Sequence, residues 1–180
     1  FAHVVEASSS PHYHPRGHGI ALGGMRLVIE NLPRAYDTPG DIEARANMMA
    51  AAAMGAVAFQ KGLGAIHAMS HPVGALFGTH HGTTNAVCMP AVLDLNAPAI
   101  RARFDRAASY LGIEGGFEGF QTFVQGFNDR FGIPRRLGDL GVSAERIDDM
   151  VAMALEDPSC GGNPVPLTAE NLRGLFLATI

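Results

Sequence analysis

The sequence predicts an all-α protein, a multi-helix bundle, on three observations. Period-2 alternation is rare and β-branched runs are short. Apolar residues recur at helical spacing along nearly the whole chain. Proline, glycine and N-cap residues fall between those periodic stretches, where helices start and stop.

Taken in order, "FAHVVEA" reads like the middle of a helix with no N-cap ahead of it, so the sequence is expected to lack its true start. That helix ends near Ser8, and "SSSPHYHPRGHG" forms a polar loop. Pro15 opens the next helix, with Ile20, Met25, Leu27, Val28 and Leu32 along one face. "TPGD" breaks it: Thr38, Pro39 and Gly40 are turn chemistry, and Asp41 is an N-cap. Asp41 to Gln60 gives a long helix whose "MMAAAAMGAVAF" stretch lets neighbours approach closely, the expected central buried helix. "GLGA" ends it. Pro72 lies inside an apolar helical pattern, so the helix there kinks or restarts. Asn85–Leu95 is a further apolar helix, interrupted at Pro90. Amphipathic helices follow at Pro98–Leu111, Phe117–Phe131, Ser143–Leu155 and Thr168–Leu177, with Ser143 and Thr168 as N-caps and Gly112 and Gly132 as stops. The total is about eight or nine helices in a single helical domain spanning residues 1–180.

Composition narrows the class. The chain has 180 residues, 47% hydrophobic and only 17% charged, which suits a domain with much of its surface covered by something else. Lys61 is the only lysine among 13 basic residues, the arginines are scattered and the net charge is -4, so no nucleic-acid partner is expected. The two cysteines, Cys88 and Cys160, are far apart and fit a reducing, cytoplasmic setting better than a disulfide framework. No apolar stretch reaches the roughly 20 residues of a membrane span, and no secretory signal pattern is visible.

All eight histidines lie in the first 81 residues. His67 and His71 are four apart and share a helix face, and His81 follows beyond a glycine-punctuated turn that can bring it back to the same space. Neutral imidazole is a common ligand for zinc and iron, so the cluster points to metal binding or catalysis; buried or capping histidines bonded to backbone are the alternative. A hydrolytic zinc site would need a glutamate between His67 and His71, where Ala68, Met69 and Ser70 stand. A closed structural zinc site would need more than the isolated Cys88. His12, His14 and His18 in the "PHYHPRGH" loop read as solvated or capping residues, although Tyr13 and His14 could line a cleft mouth. Gly62-Leu63-Gly64 lacks the third glycine and the preceding strand of a dinucleotide fingerprint, and Gly161-Gly162 reads as a loop.

The stretch "GLGAIHAMSHPVGALFGTHHGTTNA" resembles the signature of the iron-containing (group III) alcohol dehydrogenases, GLG-x-x-H-A-x-x-H-P-x-G and then H-G-x-x-N-A. "HPRGHGIALGGMRL" resembles the helix start after that family's first metal motif, and "NPVPLTAENL" its C-terminal end. The resemblance therefore covers the whole chain and corresponds to the helical C-terminal half of a family member, the C-terminal domain of a dehydroquinate synthase-like fold. The family's first metal motif, D-A-x-x-H followed by "EA", matches "FAHVVEA" from its third position, which makes His3 that histidine and puts the aspartate two residues before Phe1.

By this resemblance His67 and His81 are the other two metal ligands. His71 matches a histidine near metal and nicotinamide, implied to act in catalysis and against the cofactor by relaying a proton or positioning the alcohol. The implied reaction is reversible hydride transfer between a primary or small alcohol, or its aldehyde, and NAD or NADP. Fe(II) is the expected metal, with zinc an alternative because it usually binds such sites more tightly. The implied partners are the small alcohol or aldehyde substrate, the protein's own N-terminal α/β domain that carries most of the cofactor, and further copies in a homo-oligomer; no membrane is involved. As this helical half alone, the chain is expected to be inactive. His80 stands where the family often has proline, and Gly17-His18 where Ala-Asp is common, which leaves substrate preference open. A stand-alone helical metal-binding module is the competing reading, and a glycerol dehydrogenase-like or maleylacetate reductase-like relative is a further one.

Overall fold

The computed structural model describes residues 1–180, with eight α-helices and no strands: α1 Ala2–Ser9, α2 Pro15–Asp37, α3 Ile42–Ala58, α4 Ala65–Phe77, α5 His81–Leu111, α6 Gly116–Arg130, α7 Ile147–Glu156 and α8 Ala169–Thr179. No single helix is long and apolar enough to cross a membrane.

Local chemistry sets most boundaries. The Asp41 side chain accepts from Ala44 N at 2.9 Å and starts α3. Thr168 and Asn171 form a reciprocal capping box that starts α8. Gly112 takes the left-handed conformation (φ 73°) that ends α5. His14 caps α2 through Nδ1, which accepts from Gly17 N at 2.8 Å, so the capping role expected in that loop holds for this residue. Ser143 caps a short 3-10 turn, Ala144–Arg146, and α7 begins only at Ile147.

Two expectations are corrected. The segments 85–95 and 98–111 are one helix: α5 runs 31 residues through Pro90 and Pro98. A mid-helix proline removes one N–H and frees the carbonyl four residues back. For Pro90 that carbonyl is Ala86 O, and it accepts from Asn128 Nδ2 of α6 at 2.8 Å. A side chain from a neighbouring helix thus supplies what the proline withdraws. Of the two expectations at Pro72, a restart is not seen: α4 runs on through it from Ala65 to Phe77.

The second correction concerns α3. It buries only Ala44, Ala51, Gly55 and Ala58, a small-residue stripe that lets it lie close on α1 and α2, while Ile42, Met49 and Val57 face outward. Its apolar composition marks a face left uncovered, and the central positions belong to α4 and α5 instead. The core is built from Met25 of α2, Ile66 and Met69 of α4, Leu93, Ile100 and Phe104 of α5, Phe117 and Phe120 of α6, Met150 of α7, and Leu172 and Phe176 of α8. Phe104 meets Phe120 edge-on at 4.9 Å between ring centroids.

Two cations tie down the short α1. Lys61 Nζ donates to Ala7 O at 2.9 Å and also to Ser10 O. Arg103 Nη1 of α5 donates to Ser8 O, Ser9 O and Ser10 O at 2.6, 3.0 and 2.8 Å. These are the carbonyls a helix C-terminus leaves unpaired. Burial, reinforced by Arg103, lowers the Lys61 pKa from 10.5 to about 8. Between those two values the unfolded chain binds more protons than the folded one, so the residue's contribution to stability rises with pH across that window. Denaturant unfolding across that range should show wild type gaining on Lys61→Met as pH increases, with a constant difference below it.

Candidate metal centre

Four imidazoles converge where α1, α4 and the start of α5 meet. His3 comes from α1, His67 and His71 from successive turns of α4, and His81 from the first residue of α5. The His67 ring stacks on His3 at 4.9 Å between centroids and lies 5.2 Å from His81; His71 stacks on His81 at 5.5 Å. The structure therefore gathers His3, His67, His71 and His81 into one site. It leaves out His80, whose Nδ1 accepts from Thr83 N at 3.3 Å to cap α5, and the loop histidines 12, 14 and 18.

Three further residues shape the site. Glu6, one turn after His3, is 3% exposed. Its Oε1 accepts from Ile66 N at 2.7 Å, and its Oε2 pairs with His67 Nδ1. Ile66 lies at the start of α4, whose positive end suits a carboxylate. Asn163, from the glycine-rich loop, accepts from Ala65 N at 3.1 Å through Oδ1, so α4 is capped across 98 residues of sequence. That loop lies against the Gly62-Leu63-Gly64 turn, and a Cβ on Gly162 would stand 2.0 Å from Leu63 O. Glycine is needed at 162 for the two segments to touch.

Asn85, one turn after His81, places its Nδ2 3.3 Å from His67 Nε2 and 3.0 Å from His81 Nε2, and its buried Oδ1 has no partner. Asp157 closes the set: its Oδ2 lies 2.7 Å from His71 Nδ1, and its Oδ1 accepts from Ser159 N at 2.8 Å. Burial works against the Asp157 charge, but the bonds from His71 and Ser159 outweigh it and lower its pKa.

The donor chemistry suits a divalent cation. Glu6 accepts a hydrogen bond from the His67 Nδ1–H, which leaves the lone pair on Nε2; the Asn85 amide makes acceptors of both Nε2 atoms. Burial above all, with His67 and His81 beside it, pushes the His3 pKa down to about 4. Burial, then His67, His71 and His80, lower that of His81. Neutral imidazoles are the form that binds metal. No three His, Cys, Asp or Glu side chains of this chain close a metal cage by themselves. What sits between the two Nε2 atoms is the Asn85 N–H₂, an electropositive group between two lone pairs.

Beside the rings lies a cleft of about 400 Å³, lined by Phe1, His3, Tyr36, His81, Asn85, Met89, Phe127 and Phe131 among others, mostly apolar. A separate depression of about 320 Å³ behind α5, including Asp94, Asp129 and Arg135, reaches none of the imidazoles.

The Fe-containing alcohol dehydrogenase family model for the C-terminal region matches residues 1–180. The chain belongs to that family. The 4-hydroxybutyrate dehydrogenase of Cupriavidus necator is 39% identical over 97% of this chain and 48% of its own length. The NAD-dependent methanol dehydrogenase of Bacillus methanolicus is 34% identical over 97% of this chain and 48% of its own. Among solved structures, a 1,3-propanediol oxidoreductase superposes with a TM-score of 0.94 at 30% identity, covering 99% of this chain and 49% of that one. The chain thus spans about half the length of these relatives. Its all-α architecture is that of the C-terminal half of an iron-type alcohol dehydrogenase, as the motif resemblance implied.

The carboxylates and the amide of the site went unassigned at the level of sequence. Asn85 and Glu6 were within reach: each lies three or four residues from a candidate histidine, on the same helix face. Asp157 gives no such signal, because only the tertiary fold brings it to His71 from 86 residues away.

Proposed function

We propose that the polypeptide containing this domain is a metal-dependent, NAD(P)-linked oxidoreductase interconverting a short primary alcohol and its aldehyde. The observation that carries this reading is the gathering of His3, His67 and His81 beside an apolar cleft, with the His67 lone pair fixed by Glu6. Three imidazoles would hold the ion, with an aspartate two residues ahead of Phe1 as the fourth ligand. When bound, a divalent metal supplies Lewis acidity toward the alcohol oxygen, and a nicotinamide supplies the hydride acceptor. Fe(II) is the metal we favour, and the nicotinamide would lie mainly on an N-terminal α/β domain.

The residues of this domain bind, orient and move a proton. Glu6 holds the His67 ring and its tautomer. Phe1, Met89, Phe127 and Phe131 offer an apolar wall for a short alkyl chain. His71, partly exposed, has Nδ1 anchored to Asp157, so its Nε2 is the atom placed to take the alcohol proton and pass it to solvent. The dehydrogenases of 4-hydroxybutyrate and methanol act on compounds that share a primary hydroxyl, which supports the substrate class. We place the enzyme in the cytoplasm, as a homo-oligomer.

The test is turnover by the full-length polypeptide with a panel of short alcohols and diols and both cofactors, before and after chelation. NAD(P)H formation that chelation abolishes and Fe(II) restores is the expected result. Tight metal binding without turnover of any alcohol would overturn it in favour of a metal-binding module.

A further inference from the structure

The polar loop after α1 builds a second site of different character, at the opposite end of that helix from His3. A cleft of about 260 Å³ is lined by Pro11, His12, Tyr13, His14, Pro15, His18, Lys61, Arg103 and Arg106. Three formal cations and three imidazoles meet here, and no carboxylate lines the wall, in a chain whose net charge is -4. Most other arginines pair with acids: Arg26, Arg34, Arg101, Arg130, Arg135, Arg146 and Arg173 each lie within 4 Å of a carboxylate. Arg103 and Arg106, one turn apart on α5, have no such partner.

The structural duties of these cations do not exhaust their donors. Arg103 uses only Nη1 on the α1 carbonyls, leaving Nε and Nη2. Arg106 is exposed and makes no hydrogen bond to the fold. His14 spends Nδ1 on the α2 cap and keeps Nε2. The 23-residue helix α2 also begins in this wall and adds its positive end. The field of the cluster registers on His18, whose pKa is lowered by burial and then by Lys61, Arg103 and Arg106.

We infer that this cleft is an oxyanion site for a phosphate group, held between the Arg103 and Arg106 guanidiniums and the loop histidines. The planar forks suit phosphate oxygens, and two or three uncompensated cations favour a dianion over a single carboxylate. The inference does not rest on the dehydrogenase reading, since none of these residues belongs to the imidazole cluster around His67.

Calorimetric titration of the full-length polypeptide with inorganic phosphate, and separately with AMP, tests it. The His81→Ala variant treated with chelator is run in parallel, to remove any phosphate bound at the metal centre. The expected result is saturable phosphate binding that survives in chelated His81→Ala, weakens with salt, and falls about tenfold or more in Arg106→Glu. Arg106 supports no part of the fold, so Arg106→Glu and Arg106→Gln should keep the wild-type melting temperature. AMP displacing phosphate would identify a phosphomonoester as the source, and AMP exclusion would identify free phosphate. Absence of saturable binding, or binding that Arg106→Glu leaves intact, would overturn the site.

Discussion

In the full-length polypeptide, His67→Ala and His81→Ala should each lose their metal on dialysis, while His12→Ala should keep it. Elemental analysis of the three variants beside wild type reads this directly. Three imidazoles and one carboxylate would hold the ion and leave a position open for water or substrate, so each ligand carries a large share of the affinity. Removing one imidazole deletes a bond and also leaves a cavity that water fills. Loss of even an outer hydrogen-bond partner commonly costs about 10–100-fold in affinity, so loss of a ligand should leave metal content below about a tenth of wild type. His67 is 1% exposed and lies at the centre of the cluster, so its truncation also removes the stacking partner of His3. His12 lies in the basic cleft and serves as the control. Equal metal content in all three variants would refute the ligand assignment.

The second large effect is expected from a change of one atom. Glu6→Gln keeps the size and shape of the side chain but turns one of its two acceptor oxygens into a donor. Glu6 now accepts from Ile66 N and pairs with His67 Nδ1. A glutamine cannot serve both donors. If its oxygen stays on Ile66 N, its N–H₂ faces His67 Nδ1, and the ring must carry its proton on Nε2 instead. The Nε2 lone pair would then be lost and its N–H would confront the Asn85 amide, 3.3 Å away. If the amide turns over, two donors collide at Ile66 N. Metal affinity should fall about 10–100-fold by chelator competition. Folding should cost only about 1–3 kcal/mol, the penalty of an unsatisfied buried group. The imidazole nitrogen shifts of His67 would report the tautomer. An unchanged affinity would mean that Glu6 packs against the site without orienting it.

Much of this structure was legible from local chemistry. Asp41, Thr168 and Gly112 act where their side chains and backbone conformations say they should, because a cap involves residues only three or four apart. The histidine cluster was legible for the same reason: His67 and His71 share a face, and His81 returns through a short turn. What the sequence hides are interactions that span the fold. The continuity of α5 through Pro90 depends on Asn128, 42 residues away from the carbonyl it satisfies. The exposure of α3 depends on which side its neighbours take, and an alanine-rich helix looks apolar on every side. Asp157 reaches His71 only because the segment after α7 folds back on α4.

The segment Ala2–Ser9 contributes both His3 and Glu6 to the imidazole cluster. Its C-terminal end is held by Lys61 and Arg103, which grip its final carbonyls. Retention of a metal at the proposed site would thereby be tied to the docking of this one segment. Ion binding would slow amide exchange in α1 before it altered any other helix, and local release of α1 would be the route by which the ion escapes.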